Sequence, residues 1–261
     1  MSKSPFCGQE YTFKLVPKVI HERDGMFNAE INKAQAERHY FWVGSSALRA
    51  MRTCLAAATI DENSVLNILD YACGYGRVLR WIKAHFRSAH ILGVDADSKA
   101  AQAAMTVTNV ETASLDTSLS KPLSNEKFDL IWVGSLFTHL PEEESHRVLQ
   151  YLAAHLRGVL VVSTYSPRND RKLQGRLTKL KLSIQESAQV LREYEITGYA
   201  YRDYHERKGY GLSFINPVKF IDMAKTAQLK TVFFRDQYWA QRQDIYGFVP
   251  ASASMDFSNS G

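Results

Sequence analysis

The sequence has only three cysteines among its 261 residues, Cys7, Cys54 and Cys73. They are widely spaced, odd in number and include no Cys-x-x-Cys pair, which argues against a disulfide framework and against a cysteine-rich zinc site. Thiols used this sparingly are typical of a protein that works in a reducing compartment. We therefore expect a cytoplasmic location.

Long hydrophobic runs are also missing. No apolar stretch approaches the ~18 residues that a membrane-spanning helix needs, and the first segment, MSKSPFCGQE, has no apolar core like that of a secretory signal. The net charge is +5, with 45% hydrophobic and 23% charged residues, as in ordinary globular enzymes. This mildly basic balance permits an acidic substrate or a nucleic acid as a partner without requiring either.

The most informative stretch runs from Val65 to Trp81 and reads VLNILDYACGYGRVLRW. A short apolar run ends at Asp70, a turn of small residues follows, and an apolar helical pattern then begins. This order predicts a buried strand, a tight turn and a helix whose amino terminus opens onto a ligand. Gly74 and Gly76 carry no side chain that would block the approach of a cofactor to the backbone.

A second acidic residue follows a second apolar run, where Ile91–Val94 leads into Asp95 and Ala96. An acidic residue at the tip of the second strand holds the ribose hydroxyls of nucleotide-type cofactors. Together with Asp70 and the glycines, this predicts an adenosine-containing cofactor. A nicotinamide site would need a third glycine where Leu79 stands. A carboxylate at Asp70 would also repel a pyrophosphate, whereas it would attract the ammonium of S-adenosylmethionine, directly or through water.

At these residues the chain resembles the class I S-adenosylmethionine-dependent methyltransferases, whose first motif reads acidic-x-Gly-x-Gly-x-Gly; Ala72 replaces the first glycine. A second stretch, FDLIWVGSLFTHLPEEE at 128–144, resembles the fourth strand and following loop of bacterial small-molecule and glycan-associated members. The resemblance covers roughly residues 40–249, with the strong motifs at 65–97 and 127–145. Fold-level analogy of this kind sets an expectation for the acceptor and no more.

Alternating strand and helix patterns predict an α/β fold. The resemblance implies a doubly wound, seven-stranded, mostly parallel sheet with an antiparallel last strand beside the fifth. A helical pattern over 29–58 is expected to break near 42–45, where Ser45 or Ser46 would cap a second helix. We divide the chain into an amino-terminal segment with cap helices (1–60), a cofactor-binding core (61–165), a helical and loop insertion on the substrate side between strands five and six (166–212), the rest of the core (213–250) and a disordered tail (251–261).

Further cofactor-binding residues are expected around these motifs. Asp116 follows the presumed third strand and is a candidate for the adenine end, while Ser135 and Phe137 follow the fourth strand and would line the cleft. The patch from Tyr40 to Gly44 resembles an aromatic-glycine patch that closes over the methionine end of the cofactor in relatives. It is equally consistent with aromatic side chains that pack the first helix on the sheet.

His139 is the candidate catalytic residue, because a histidine titrates near neutral pH and can deprotonate an acceptor hydroxyl as a general base. The alternative is that it only hydrogen-bonds the strand-to-helix loop. The insertion and its borders are rich in tyrosine, and aromatic rings with hydroxyl tips suit a pocket for a polar acceptor. The candidate substrate-binding residues are Tyr165, Tyr201, Tyr204, His205 and Tyr210.

No metal is expected, because the acidic ligands that metal-assisted members carry after strands four and five are replaced by Gly134-Ser135 and Ser163-Thr164. The loop typical of adenine or glutamine N-methylation and the Pro-Cys pair of cytosine C5 chemistry are absent too. The sequence therefore predicts methyl transfer to a small polar molecule, such as a hydroxyl of a sugar, nucleotide-sugar or natural product.

Two other functions remain open. An RNA methyltransferase would use the basic cluster at 168–181 to contact phosphates, although such a run is also typical of a solvated helix face. A protein that binds the cofactor without catalysis is the second possibility. The sequence assigns neither the methylated atom nor an oligomeric state.

Overall fold

The computed structural model describes residues 13–27, 32–123, 127–167, 182–205 and 207–252. Within these ranges the strands are β1 (Asn67–Tyr71), β2 (His90–Asp95), β3 (Glu111–Ser114), β4 (Phe128–Val133), β5 (Leu156–Thr164), β6 (Tyr199–Tyr204), β7 (Arg207–Ile215), β8 (Leu229–Trp239) and β9 (Gln243–Pro250). The helices are α1 (Lys33–Ala57), α2 (Leu79–His85), α3 (Ser98–Thr108), α4 (Glu142–Ala154), α5 (Ile184–Thr197) and α6 (Pro217–Thr226). None of these helices combines the length and apolar character needed to cross a membrane.

Seven strands form one sheet in the order β3-β2-β1-β4-β5-β9-β8. The first five strands pair in parallel, whereas β9 runs antiparallel to both β5 and β8. This confirms the predicted α/β fold, with its seven-stranded, mostly parallel sheet and an antiparallel last strand beside the fifth. The strand order reverses between β1 and β4, which is where open α/β sheets bind ligands at the carboxyl ends of their strands.

The central strands are apolar on both faces because helices cover both sides of the sheet. Ile68 and Trp132 point into a cluster with residues of α1 and α2, while their chain neighbours Leu69 and Ile131 point into a cluster with residues of α4 and α6. All four side chains are at most 1% exposed. Both faces of the sheet are therefore buried, as a doubly wound fold requires.

Helix α1 is continuous over 25 residues, so the predicted break near 42–45 is wrong. The hydroxyls of Ser45 and Ser46 donate to the carbonyl oxygens of Trp42 and Val43, 2.9 and 2.8 Å away, within the helix. The residue that caps the helix is Asn32, which accepts a hydrogen bond from a backbone amide of the first turn. Serines in mid-helix can satisfy their hydroxyls in this way without ending the helix.

The insertion contains a β-hairpin that the sequence analysis did not predict. Helix α5 is followed by β6 and β7, which form a separate antiparallel sheet. The second strand continues to Ile215, past the expected border at residue 212. The basic cluster at 168–181 and residues 253–261 of the expected tail lie outside the described residues.

Gly44 allows α1 and α2 to pack closely. A Cβ at this position would overlap the indole of Trp81 and lie 2.7 Å from the carbonyl oxygen of Arg77. We expect Gly44→Ala to lower the free energy of unfolding by about 1–3 kcal/mol, because overpacking outweighs the better helix propensity of alanine. Chemical denaturation measures the loss. Gly25→Ala is the matched control, since a Cβ there meets nothing within 4 Å; equal stabilities of the two variants would contradict the close packing.

Candidate functional site

A cavity of about 280 Å³ opens at the carboxyl ends of β1, β2 and β4. Its position matches the place where the strand order reverses. It brings together residues from both strong motifs and from the hairpin. Seven of the predicted site residues line it: Asp70, Ala72, Gly74, Asp95, Ser135, His139 and Tyr210.

The turn after β1 has a backbone conformation that residues other than glycine seldom adopt. Ala72, Gly74 and Gly76 have φ angles of +65°, +54° and +81°. A Cβ at Gly74 would meet nothing within 4 Å, whereas one at Gly76 would lie 2.9 Å from a methyl group of Thr108. Gly74 therefore leaves room on the cavity side of the turn, and Gly76 serves the packing of the turn against α3.

Asp70 is the one charged residue of β1 and is 1% exposed. Its Oδ2 atom has no hydrogen-bond partner among the described residues. Burial, and secondly the charge of Asp95, raise the pKa of Asp70 to about 8. A buried carboxyl without a donor on the lining of a cavity fits a ligand that brings a positive charge or a hydrogen-bond donor.

Asp95 holds the two strand ends together. Its Oδ2 accepts a hydrogen bond from the backbone amide of Gly74 at 2.8 Å, and its Oδ1 accepts one from the amide of Asp97 at 2.9 Å. Each carboxylate oxygen keeps a further lone pair for a ligand. Asp97 caps α3 by accepting from the amides of its first turn. Ala96, between them, does not line the cavity.

Ser135 is held by a ring of hydrogen bonds that the sequence did not reveal. Its amide donates to Ser163 Oγ, Ser163 Oγ donates to Gln243 Oε1, and Gln243 Nε2 donates to Ser135 Oγ, each at 2.7 Å. Ser163 is fully buried, and this orientation of the Gln243 side-chain amide gives the Ser163 hydroxyl both a donor and an acceptor. Ser135 has a φ angle of +67° and lines the cavity, and its hydroxyl lies 3.5 Å from that of Thr138.

His139 lies in the loop after β4 and is bonded to the hairpin. Its Nδ1 lies 2.7 Å from the carbonyl oxygen of Gly211, and the amide of Gly211 donates to the carbonyl of His139 at 3.0 Å. A carbonyl oxygen only accepts, so Nδ1 carries the hydrogen. The neutral ring then has its lone pair on Nε2. This is the tautomer in which Nε2 can act as a base.

Two tyrosines of the hairpin flank this ring. Tyr210 stacks on the imidazole, with ring centroids 4.9 Å apart at 20°, and Tyr204 places its hydroxyl 3.2 Å from Nδ1. The hairpin is fixed to the loop by further bonds, including one from the amide of Ser213 to the carbonyl of Thr138. The structure thus brings together His139, Tyr204 and Tyr210.

The other predicted substrate-binding residues lie away from the cavity. Tyr165 is 2% exposed and packs on Phe214. The hydroxyl of Tyr201 donates to Asp203 at 2.6 Å, and His205 is exposed at the turn of the hairpin. Tyr165 and Tyr201 thus have structural contacts, and none of the three residues lines the cavity.

Gly76 and Ala96 lie outside the cavity lining, and so do four other predicted cofactor-binding residues. Phe137 is fully buried against Phe220, and Asp116 is exposed, where it bonds two nearby serines. Tyr40 and Gly44 lie on α1, and the hydroxyl of Tyr40 donates to Asp24 at 2.6 Å. Asp24 itself lines the cavity, and no pattern in the sequence marks it, because 1–30 reads as a polar, aperiodic segment.

The buried Asp70 makes stability depend on pH. Because its folded pKa is about 8, the folded protein keeps a proton between about pH 5 and pH 8 that the unfolded chain has released. The free energy of unfolding therefore falls as pH rises through this window, by up to about 1.4 kcal/mol per pH unit. We expect Asp70→Asn to remove this decline and to be more stable than the unmutated protein near pH 8.

Urea denaturation near pH 5.5 and near pH 8, without ligand, measures this difference. Asp236→Asn, on the exposed edge strand β8, is the matched control and should follow the unmutated protein at both pH values. Parallel pH profiles for Asp70→Asn and the unmutated protein would contradict the raised pKa.

Comparison with known proteins identifies a domain. Residues 68–158 match the family model described as a methyltransferase domain. This range begins in β1 and ends in β5, so it includes the turn after β1, Asp95 and His139. Among curated proteins, none matches the chain by sequence.

Solved structures show the same fold. DesVI from Streptomyces venezuelae matches with a TM-score of 0.56 and 15% identity over 85% of this chain and 100% of its own. An S-adenosylmethionine-dependent methyltransferase from Clostridium acetobutylicum matches with a TM-score of 0.52 and 15% identity, over 82% of this chain and 92% of its own. Magnesium protoporphyrin IX methyltransferase from Synechocystis, solved with bound S-adenosylmethionine, matches with a TM-score of 0.52 and 12% identity over 85% of each chain.

At these identities the structural similarity shows the fold alone, and the family model identifies a methyltransferase domain at residues 68–158. The sheet order and the position of the matched range on β1 to β5 agree with the resemblance seen in the sequence. Residues 68–158 form a methyltransferase domain, and the chain is an enzyme with the fold of the S-adenosylmethionine-dependent methyltransferases.

Proposed function

We propose that this enzyme methylates a hydroxyl of a small polar acceptor, such as a sugar, nucleotide-sugar or natural product, without a metal. One observation carries the proposal: Nδ1 of His139 is bonded to the carbonyl oxygen of Gly211 on the lining of the cavity. That bond directs the basic lone pair to Nε2. A base is needed for a hydroxyl acceptor, which is a poor nucleophile while it keeps its proton.

The cavity fits the cofactor. The unpartnered oxygen of Asp70 would hold the ammonium of its methionine end, directly or through water, and the open space at Gly74 would admit it close to the backbone. Asp95 would accept hydrogen bonds from the ribose hydroxyls with the lone pairs that remain on its oxygens. When bound, the cofactor supplies a methyl group activated by the positive charge on sulfur.

The residues of the chain would orient the acceptor and take its proton. His139 accepts the hydroxyl proton at Nε2 as the acceptor oxygen gains the methyl group, and the carbonyl of Gly211 stabilises the imidazolium through Nδ1–H. Tyr210, stacked on the imidazole, limits the orientations of the ring. Ser135 lines the same cavity with its hydroxyl group. Holding the reactants in line is the main contribution that such an enzyme makes.

We extend the proposal to the acceptor region and to the cellular location. The hairpin carries Tyr204 and Tyr210 to His139, which supports an acceptor role for residues 166–212. The few cysteines support a cytoplasmic location. The RNA alternative depends on the cluster at 168–181, outside the described residues, and the alternative without catalysis does not account for the orientation of His139.

The direct test is a screen of acceptors with a labelled methyl donor, sugars and nucleotide-sugars first. Transfer of label to a hydroxyl would support the proposal. Label on RNA but on none of the small molecules would overturn it in favour of the alternative.

His139→Ala is expected to lower turnover at least a hundredfold on an acceptor found in that screen, because a positioned base contributes about 10²–10⁴-fold. Its affinity for S-adenosylhomocysteine should stay unchanged. His90→Ala, at an exposed start of β2, is the matched control. Equal losses of affinity and thermal stability in His139→Ala would instead show that this histidine has only a structural role.

Asp95→Ala is expected to weaken binding of S-adenosylhomocysteine at least tenfold, about 1.4 kcal/mol or more. The reason is the loss of an acceptor for two ribose hydroxyls together with the bond to Gly74. Isothermal titration calorimetry measures the affinity, with Asp222→Ala on exposed α6 as the control. An unchanged affinity would remove Asp95 from the cofactor site.

A further inference from the structure

An amino-terminal strap, residues 16–27, lies against the turn that follows β1. Arg80 of α2 is fully buried and joins the two. Its Nη1 donates to the carbonyl oxygens of Pro17 and Val19 at 2.9 and 2.7 Å, and its Nε donates to the carbonyl of Gly76 at 3.1 Å. A buried guanidinium that bonds three carbonyls fixes their relative positions, so the strap and the turn form one unit.

The strap brings a carboxylate to the cavity. Asp24 is 4% exposed, accepts from the hydroxyl of Tyr40 at 2.6 Å and from the amide of Met26 at 3.0 Å, and lines the cavity together with Met26. The guanidinium of Arg77 lies 5.9 Å from the ring of Tyr40. Burial lowers the pKa of Arg77, while the neighbouring Tyr40 and Asp24 oppose this effect.

Arg77 lines the same cavity, and it makes no hydrogen bond or ion pair with the described residues. Its side chain is half-buried, so its five donor hydrogens need an acceptor that the described chain does not supply. A guanidinium matches a carboxylate in shape, because two parallel N–H groups can bind its two oxygens.

The position of Arg77 indicates which carboxylate. It directly follows Gly76 in the turn after β1 and faces α1 and the strap through Tyr40 and Asp24. His139 and Tyr210, by contrast, belong to the β4 loop and the hairpin. An anion held by Arg77 therefore lies at the cofactor turn, where Asp70 offers the opposite charge for an ammonium.

We propose that Arg77, backed by the strap, binds the carboxylate of the methionine end of the cofactor. This rests on the proposed cofactor role of the cavity. Once an ammonium has taken the place of the proton on Asp70, Asp70 and Arg77 together form a pair of opposite charges for a zwitterionic amino-acid group. The strap carrying Asp24 closes the cavity beside it.

The test compares two probes, S-adenosylhomocysteine, which has the amino-acid end, and 5′-methylthioadenosine, which lacks it. Isothermal titration is carried out on the unmutated protein, Arg77→Gln and Arg77→Lys. We expect Arg77→Gln to weaken S-adenosylhomocysteine at least tenfold, about 1.4 kcal/mol, with 5′-methylthioadenosine unchanged within twofold. Arg77→Lys keeps the charge without the planar fork and should lose less. Arg87→Gln, exposed after α2, is the matched control.

The outcomes separate the two proposals. Unmutated protein that binds neither probe would overturn the cofactor site as a whole. If it binds both, equal losses for both probes in Arg77→Gln would assign Arg77 to the packing of the turn and overturn this inference alone. Unchanged binding of both would do the same. Retained binding of 5′-methylthioadenosine by the variant also shows that it is folded.

Discussion

The site depends on a carboxyl group that is buried at the end of the central strand without a partner. Asp70 is 1% exposed, its Oδ2 has no hydrogen-bond partner in the described chain, and the charge of Asp95 adds to the effect of burial on its pKa. Leaving a buried polar group unsatisfied costs about 1–3 kcal/mol. Such a cost is understandable at a place where a ligand supplies the missing charge, because binding sites are where local rules of stability are broken.

Two segments from outside the matched domain complete the cavity around this carboxyl. Arg80 bonds the strap on one side, and on the other Gly211 bonds His139. Both connections use backbone carbonyls, so the contacts depend on the course of the chain more than on the side chains that the two segments carry. The turn after β1 therefore has a hydrogen-bonded segment on either side of the cavity.

The sequence was sufficient for the parts that local chemistry determines. The tight turn after β1, the acidic end of β2 and the mostly parallel sheet with its antiparallel last strand are confirmed, because each depends on residues close in the chain or on a regular alternation of elements. The hydrogen bonds that position Arg80, His139 and Ser135 join residues 63, 72 and 108 positions apart. Residue pairs so far apart leave no periodic pattern in the sequence. The hairpin was missed because its tyrosines were interpreted only as pocket residues.

The two interpretations of His139 are compatible in this fold. The bond from Nδ1 to Gly211 is the structural role that the cautious interpretation expected, and the same bond places the lone pair on Nε2, which the catalytic interpretation needs. The partner in that bond belongs to the hairpin, beyond residue 158, where the methyltransferase domain match ends. Under the proposed function, substitutions in the hairpin would alter acceptor choice while the turn at Gly74 and its tether to Asp95 stay as they are. The residues proposed for the cofactor, Asp70, Gly74 and Asp95, thus lie within the matched domain, whereas the hairpin proposed for the acceptor lies beyond it.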